Sequence, residues 1–360
     1  MRKIRVLIVD DSVVIRRLLS DLLREEPTIE VLGAAPNGRI ALAKVAQLKP
    51  DLVTLDIEMP EMDGLETLTE LRKSYPILPV IMFSTLTERG AVATIEALSR
   101  GASSYVAKPS NSGSFPAAMQ SVREQLIPKI KALCPLDQPA VSTSSISSSL
   151  PLAASPGGPT RKAEIVVIGC STGGPQALEV VLKSLSRDFP VPILVVQHMP
   201  AVFTTYLASR LNQECPMEVR EAADGELLEA GKVLIAPGDY HLEIARQGAS
   251  MVTVLQQQPP ENSCRPSVDV LFRSAAKHYG SGCLAVVLTG MGHDGLRGAQ
   301  QIFQAQGTIL AQDQATSVVW GMPRAVAEAR IVSAILPVRE FGRELQRRAA
   351  MGRRFSIASS

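Results

Sequence analysis

The chain has 360 residues, 46% of them hydrophobic and 20% charged, with a formal net charge of +2. That length fits about two domains, each able to bury its own core, and the near-balanced charge gives no global electrostatic case for nucleic acid. The five cysteines (Cys134, Cys170, Cys215, Cys264, Cys283) are scattered and free of CxxC spacing, so they read as reduced thiols of the cytoplasm and neither a disulfide framework nor a zinc module. The basic start at Met1 meets Asp10-Asp11 too soon for a signal-peptide core, and no apolar run approaches a membrane span. A cytoplasmic protein without membrane insertion is expected.

From residue 4 to about 132 the pattern alternates strand and helix five times. The strands are expected at Arg5–Val9, Glu30–Ala34, Leu52–Leu55, Val80–Phe83 and Ser104–Val106, with amphipathic runs between them such as Val13–Leu23. Repeated βα units with short links predict a parallel sheet covered on both faces, whose ligands gather at the carboxyl ends of the strands. The polar residues sit at those ends: Asp10 and Asp11 after the first strand, Asp56 after the third, Ser84 after the fourth and Lys108 after the fifth. Three neighbouring carboxylates repel one another unless a hard cation lies among them, and Mg²⁺ with oxygen ligands fits. Lys108 and the Ser84 hydroxyl are placed to hold the oxygens of a phosphoryl group on Asp56, since carboxylate attack on phosphorus is established chemistry.

Val9-Asp10-Asp11-Ser12, Leu55-Asp56-Ile57-Glu58-Met59-Pro60-Glu61-Met62-Asp63-Gly64 and Ala107-Lys108-Pro109 resemble the receiver domain of two-component response regulators. The resemblance implies that Asp56 accepts phosphate from a histidine kinase, that Asp10, Asp11 and Asp56 hold Mg²⁺, and that Ser84 and Lys108 sense the phosphate. It also implies an output domain that feels the phosphorylated state.

Between about Cys134 and Lys162 the composition turns to serine and proline with almost no apolar periodicity, the mark of a flexible tether. The second half returns to α/β alternation. It shows no helix-turn-helix and no basic stripe before the arginines of the tail (Arg343, Arg347, Arg348, Arg353, Arg354), which read as a solvated end. Its organising stretch is Ile168-Gly169-Cys170-Ser171-Thr172-Gly173-Gly174-Pro175, an apolar strand running into a glycine turn and then a helical pattern. Gly169-x-Ser171-x-Gly173 has the letters of a nucleophile elbow. A tight turn that cradles a phosphate, or a dinucleotide site, would use similar chemistry, although Ser171 replaces the middle glycine of the dinucleotide fingerprint and the following strand ends in Gln197-His198.

A serine nucleophile needs a base, and the chain has four histidines. His198 closes an apolar strand on the same edge as Ser171. His241 follows a turn and is placed to line a cleft, His278 belongs to the helix Val268–Tyr279, and His293 lies in a glycine loop. Asp294 follows the buried strand Leu284–Leu288, where its simplest alternative role is a helix N-cap. Three strand ends converging on Ser171, His198 and Asp294 favour a triad. Their order differs from those of α/β-hydrolases and both protease classes.

The Ser171 motif, with Gln197-His198-Met199-Pro200, Ala236-Pro237-Gly238-Asp239-Tyr240-His241, Arg265-Pro266-Ser267-Val268-Asp269-Val270-Leu271-Phe272, Leu288-Thr289-Gly290-Met291-Gly292-x-Asp294-Gly295 and Gly321-Met322-Pro323, resembles the chemotaxis protein-glutamate methylesterases, the CheB family. Cys170 stands where the family usually has alanine, and position 293 varies in it, which argues against His293 as base. The resemblance implies an α/β protein of two domains, a flavodoxin-like five-stranded parallel receiver and a doubly wound methylesterase domain. The implied boundaries are 1–125 for the receiver, 126–162 for its helical end and linker, 163–345 for the catalytic domain and 346–360 for a basic tail. It further implies demethylation of glutamate methyl esters, and deamidation of certain glutamines, on chemoreceptor cytoplasmic helices. Ser171 would be nucleophile, His198 base, Asp294 orienter and Met291 an oxyanion donor, with no metal in this half because its cysteines and histidines lack ligand spacing. A phosphorylation-dependent binding regulator with a vestigial hydrolase site is the alternative.

Overall fold

The computed structural model describes residues 2–85, 87–108, 115–136 and 162–350. The expected linker at 137–161, together with Pro109, Arg353 and Arg354, lies outside the described residues. The chain divides into two compact units between residues 147 and 148. Among the described residues no helix is long and apolar enough to cross a membrane.

The first unit runs β1 (Ile4–Val9), α1 (Val13–Arg24), β2 (Ile29–Ala35), α2 (Gly38–Leu48), β3 (Leu52–Asp56), α3 (Gly64–Ser74), β4 (Val80–Ser84), α4 (Glu88–Ser99), β5 (Ser104–Ala107) and α5 (Phe115–Leu133). Its five strands are parallel in the order β2-β1-β3-β4-β5. β3 and β4 are buried at every position, as continuous apolar strands covered on both faces must be. Polar side chains start the helices: Ser12, Asn37 and Thr87 accept from first-turn amides, and Asp63 closes a capping box with Glu66. Strand order reverses between β1 and β3, which opens a crevice at the ends that carry Asp10 and Asp56.

The second unit runs β6 (Ile165–Cys170), α6 (Gly174–Lys183), β7 (Ile193–Gln197), α7 (Ala201–Glu214), β8 (Glu218–Glu221), β9 (Lys232–Ile235), β10 (His241–Gln247), β11 (Ser250–Gln256), α8 (Val268–Tyr279), β12 (Cys283–Val287), α9 (Leu296–Gln304), β13 (Thr308–Gln312), α10 (Met322–Glu328), β14 (Ala334–Leu336) and α11 (Phe341–Ala350). Seven parallel strands stand in the order β14-β13-β12-β6-β7-β9-β8, so the chain winds outward from β6 in one direction and later returns to fill the other side. The crevice of such a sheet falls beside β6, between the two windings. Ile165, Val167, Leu194, Ala285, Leu271 and Phe272 are among the residues of its buried core.

Two features depart from simple βα alternation. β10 and β11 pair antiparallel as a separate ribbon, and α8 follows them back to the core. At the carboxyl end, α11 carries the chain past the expected boundary at 345, with Leu345 and Ala349 fully buried. Arg348, read from the sequence as part of a solvated tail, is instead buried against Glu344, which also accepts from Arg347. The apolar Leu345 and Ala349 were outweighed in the sequence reading by the arginines between them.

Candidate active site

β6 delivers Ser171 to the crevice. Its neighbour β7 pairs with it through Cys170 opposite Gln197, so Ser171 and His198 are the next residues on two adjacent strands. The His198 amide extends that ladder by donating to the Cys170 carbonyl at 3.2 Å. Gly173 takes a left-handed conformation (φ 79°) that turns the chain from the strand into α6, a conformation that costs glycine little. The Ser171 amide donates to Thr289 O at 3.0 Å, and buried Gln197 donates its Nε2 to Ser171 O at 3.0 Å. The serine backbone is thus held from both sides.

The loop after β12 closes the crevice. A Cβ added to Gly290 would lie 2.9 Å from the Ser171 Cβ and 3.1 Å from the Ser171 amide nitrogen, so this loop packs directly on the serine. Met291 follows at once. Among the described residues, the Met291 and Thr172 amides donate to no protein acceptor. Thr172 follows Ser171 in the chain, and Met291 follows Gly290, the residue packed on that serine.

Farther along the same loop, Asp294 meets the imidazole: its Oδ2 lies 2.8 Å from His198 Nε2. Asp294 does not serve as the side-chain cap of its own helix, since α9 has none. It sits instead at the amino end of α8, where it accepts from the Val268 amide (2.7 Å), the Asp269 amide (3.1 Å) and the Ser267 hydroxyl (2.8 Å). Asn262 Nδ2 adds a bond of 2.7 Å and the Gly295 amide one of 3.0 Å. Burial disfavours the carboxylate, but His198 and these donors outweigh it and hold Asp294 well below the usual carboxylate range. Burial likewise opposes the imidazolium, and Asp294 followed by Cys264 outweighs it, so the His198 pKa is raised.

With Nε2 turned to Asp294, His198 Nδ1 faces Cys264, whose Sγ lies 3.6 Å from it. The other histidines lie elsewhere. His241 is buried and accepts from the Ser267 amide at 3.2 Å, so it braces the start of α8. His278 is half-buried on α8, and His293 is exposed. Asn262, Cys264 and Ser267 were not singled out for the site. Ser267 ahead of an apolar helix is a readable cap signal, yet its partner lies 27 residues away in another loop.

In the first unit, buried Asp10 and Asp56 and exposed Asp11 place carboxylate oxygens within 4.8 Å of one another. Lys108 Nζ reaches Asp56 Oδ2 at 2.7 Å and Asp10 Oδ2 at 3.0 Å. Burial first, then the Asp10 charge, raises Asp56 to about 6 in spite of Lys108. One ammonium against three carboxylates leaves surplus negative charge on an all-oxygen donor set, which fits Mg²⁺. Ser84 ends β4 one residue beyond the Phe83–Asp56 pair, with its hydroxyl donating to Gly90 O at 3.1 Å.

Fold and sites define the class, a two-component receiver joined to a parallel α/β domain of serine-hydrolase type. Residues 6–120 match the response regulator receiver domain and residues 166–345 match the CheB methylesterase. A protein-glutamate methylesterase/protein-glutamine glutaminase of Nocardioides sp. is 55% identical over 98% of this chain and 97% of its own length. Its counterpart in Trichodesmium erythraeum is 51% identical over 97% and 99%. The crystal structure of the Thermotoga maritima CheB methylesterase catalytic domain aligns with a TM-score of 0.51 at 43% identity, covering 51% of this chain and 98% of that one. The chain belongs to the CheB methylesterase family.

Proposed function

We propose that this chain is a phosphorylation-regulated hydrolase that removes methyl from γ-glutamyl methyl esters, and ammonia from certain glutamines, on chemoreceptor cytoplasmic helices. The observation that carries the reading is the 2.8 Å bond from Asp294 to His198 on a strand end beside Ser171. Ser171 Oγ attacks the ester carbonyl while His198 Nδ1 takes its proton. Asp294 fixes the tautomer with the proton on Nε2 and stabilises the imidazolium. The Met291 amide, with that of Thr172, receives the oxyanion. His198 returns the proton to the departing methanol, leaving a glutamyl ester on Ser171. Water, activated by the same nitrogen, then releases the carboxylate. For an amide the leaving group is poorer, so proton delivery by His198 weighs more.

Asp56 accepts the phosphoryl group from a histidine kinase, and Lys108 and Ser84 bind the phosphoryl oxygens. Asp10, Asp11 and Asp56 would hold Mg²⁺, which supplies charge neutralisation for the incoming phosphoryl group. Phosphorylation of Asp56 raises the rate of hydrolysis at Ser171.

Methanol release from methylated receptor membranes tests the reading, with wild type and Ser171→Ala compared with and without a small-molecule phosphodonor. The serine variant should lose about 10⁶-fold if the triad acts as a unit, and wild type should speed up with phosphodonor. Undiminished release by Ser171→Ala would break the triad assignment, and no release by wild type would favour the binding regulator.

A further inference from the structure

The hydrolytic reading gives Cys264 no role, yet its sulfur stands at the nitrogen that serves as base. Cys264 Sγ is 3.6 Å from His198 Nδ1, and His198, Cys264 and Asp294 bring ligand atoms within 4.8 Å of one another. We propose that His198 Nδ1 and Cys264 Sγ form a binding site for a thiophilic divalent cation, zinc by its chemistry, whose occupation shuts off the hydrolase. The inhibitory half rests on the reading of His198 as base; the binding half does not.

The separation suits the ion. A tetrahedral zinc with bonds of about 2.3 Å to sulfur and about 2.1 Å to nitrogen holds those two atoms about 3.6 Å apart. Metal-binding histidines commonly donate their second N–H to a carboxylate, which fixes the tautomer and makes the ligating nitrogen more basic. Asp294 stands at Nε2 in that role. The donor pair is soft, imidazole and thiolate, and so favours zinc over magnesium, while the all-oxygen cluster at Asp10, Asp11 and Asp56 has the opposite preference.

The thiol is held in place. Glu261 and Cys264 exchange backbone hydrogen bonds of 3.1 and 2.9 Å across the turn Asn262-Ser263. Arg273 grips Glu261 through two bonds of 2.6 Å, and Asn262 is bound to both Asp269 and Asp294. The His198 side chain keeps 12% of its surface exposed and Cys264 is partly exposed, so water can reach the pair to supply the remaining ligands. Binding replaces the thiol proton, which leaves to solvent, and no oxidation state changes. With its Nδ1 lone pair on the metal, His198 can no longer take a proton from Ser171. The sequence hides the site because its two donors come from separate loops, 66 residues apart.

The test uses the full chain titrated with Co²⁺ under saturating Mg²⁺, which occupies the receiver carboxylates. The near-ultraviolet thiolate-to-cobalt band reports only a sulfur ligand. It should saturate at one cobalt per chain, be displaced by Zn²⁺, survive Cys134→Ala and vanish in Cys264→Ala. Cys264→Ser, which keeps the side-chain size, provides the same loss should the alanine variant fold poorly. Asp294→Asn should weaken the metal about 10–100-fold. In the same preparations Zn²⁺ should inhibit methanol release by wild type. The zinc concentration for half-inhibition should rise at least about tenfold in Cys264→Ala, each variant being scaled to its own metal-free rate. No band in wild type, or a band that persists in Cys264→Ala and Cys264→Ser, overturns the site as adventitious binding. A band that depends on Cys264 while methanol release is untouched upholds the metal site and overturns His198 as the base.

Discussion

Asp294 accepts from Asn262, Ser267, Val268, Asp269 and Gly295 while also bonding His198. A carboxylate so supplied with donors stays ionised far into acid, and it is this fixed charge that lifts His198 above an ordinary imidazole. The sign for catalysis follows. The base works only when neutral, so kcat/KM for ester hydrolysis should rise with pH through an inflection above about 6.5, the unperturbed imidazole value. Asp294→Asn removes the charge and disturbs the tautomer. Methanol release should fall by about 10⁴-fold, with the inflection of the residual rate moving down toward the ordinary value. An inflection that stays in place in this variant would show that Asp294 does not set the His198 proton affinity. Asp56, raised to about 6, makes the complementary prediction in the receiver. Its acylphosphate forms from the carboxylate, so phosphorylation by a small phosphodonor should fall as pH drops through its pKa. Mg²⁺ favours the charged form and should shift that inflection downward. The pH dependence of phosphorylation measured at several Mg²⁺ concentrations reads this directly.

At the scale of elements, α8 is the piece whose first amides hold the Asp294 carboxylate, and α8 packs against β6. A Cβ on Gly169 in β6 would lie 2.3 Å from Val268 Cγ1, at the first residue of α8. Gly169→Ala should therefore cost about 1–3 kcal/mol by overpacking, seen as a lower Tm, and also reduce kcat by moving the Val268 amide from Asp294. Val268→Ala in the same chain gives the new methyl room while keeping that amide, so the double variant should recover both. Recovery of Tm without kcat would mean that α8 does not position Asp294. Much of this arrangement was legible in the sequence. The five strands of the first sheet and β6, β7 and β12 of the second announced themselves as apolar runs, whereas β8, β9, β13 and β14 were not read. Ser171, His198, Asp294, Asp10, Asp56 and Lys108 were readable as polar residues at or after strand ends. What stayed hidden depends on contacts between distant loops. The capping of α8 by Asp294, the brace from His241 and the approach of Cys264 to His198 join residues 25 to 66 positions apart. The β10–β11 ribbon escaped because its strands interleave polar and apolar residues and lack the continuous apolar runs that marked the parallel ones.

Across the whole molecule, two units with separate cores are joined by a stretch rich in serine and proline. Each unit carries the polar groups of its candidate site where its own strand order reverses. Regulation then has to act between units, through a population shift that phosphate on Asp56 biases. If the receiver acts by covering the Ser171 cleft, residues 162–350 alone should release methanol faster than the unphosphorylated full chain, and a phosphodonor should not change their rate. The full chain with Asp56→Asn should stay at its low rate under phosphodonor. A shift from mostly covered to mostly open is bounded by the differential stability that phosphate supplies. A change from 1:99 to 99:1 takes about 5.5 kcal/mol, and a smaller bias gives graded activation. The ratio of the fragment's rate to that of the unphosphorylated chain therefore measures the covered population directly. The ratio of phosphorylated to unphosphorylated rates measures how much of that cover the phosphate removes. Equal rates for fragment and unphosphorylated chain would eliminate cover as the device. Activation by phosphate would then have to arise from contacts that the receiver adds to the output domain.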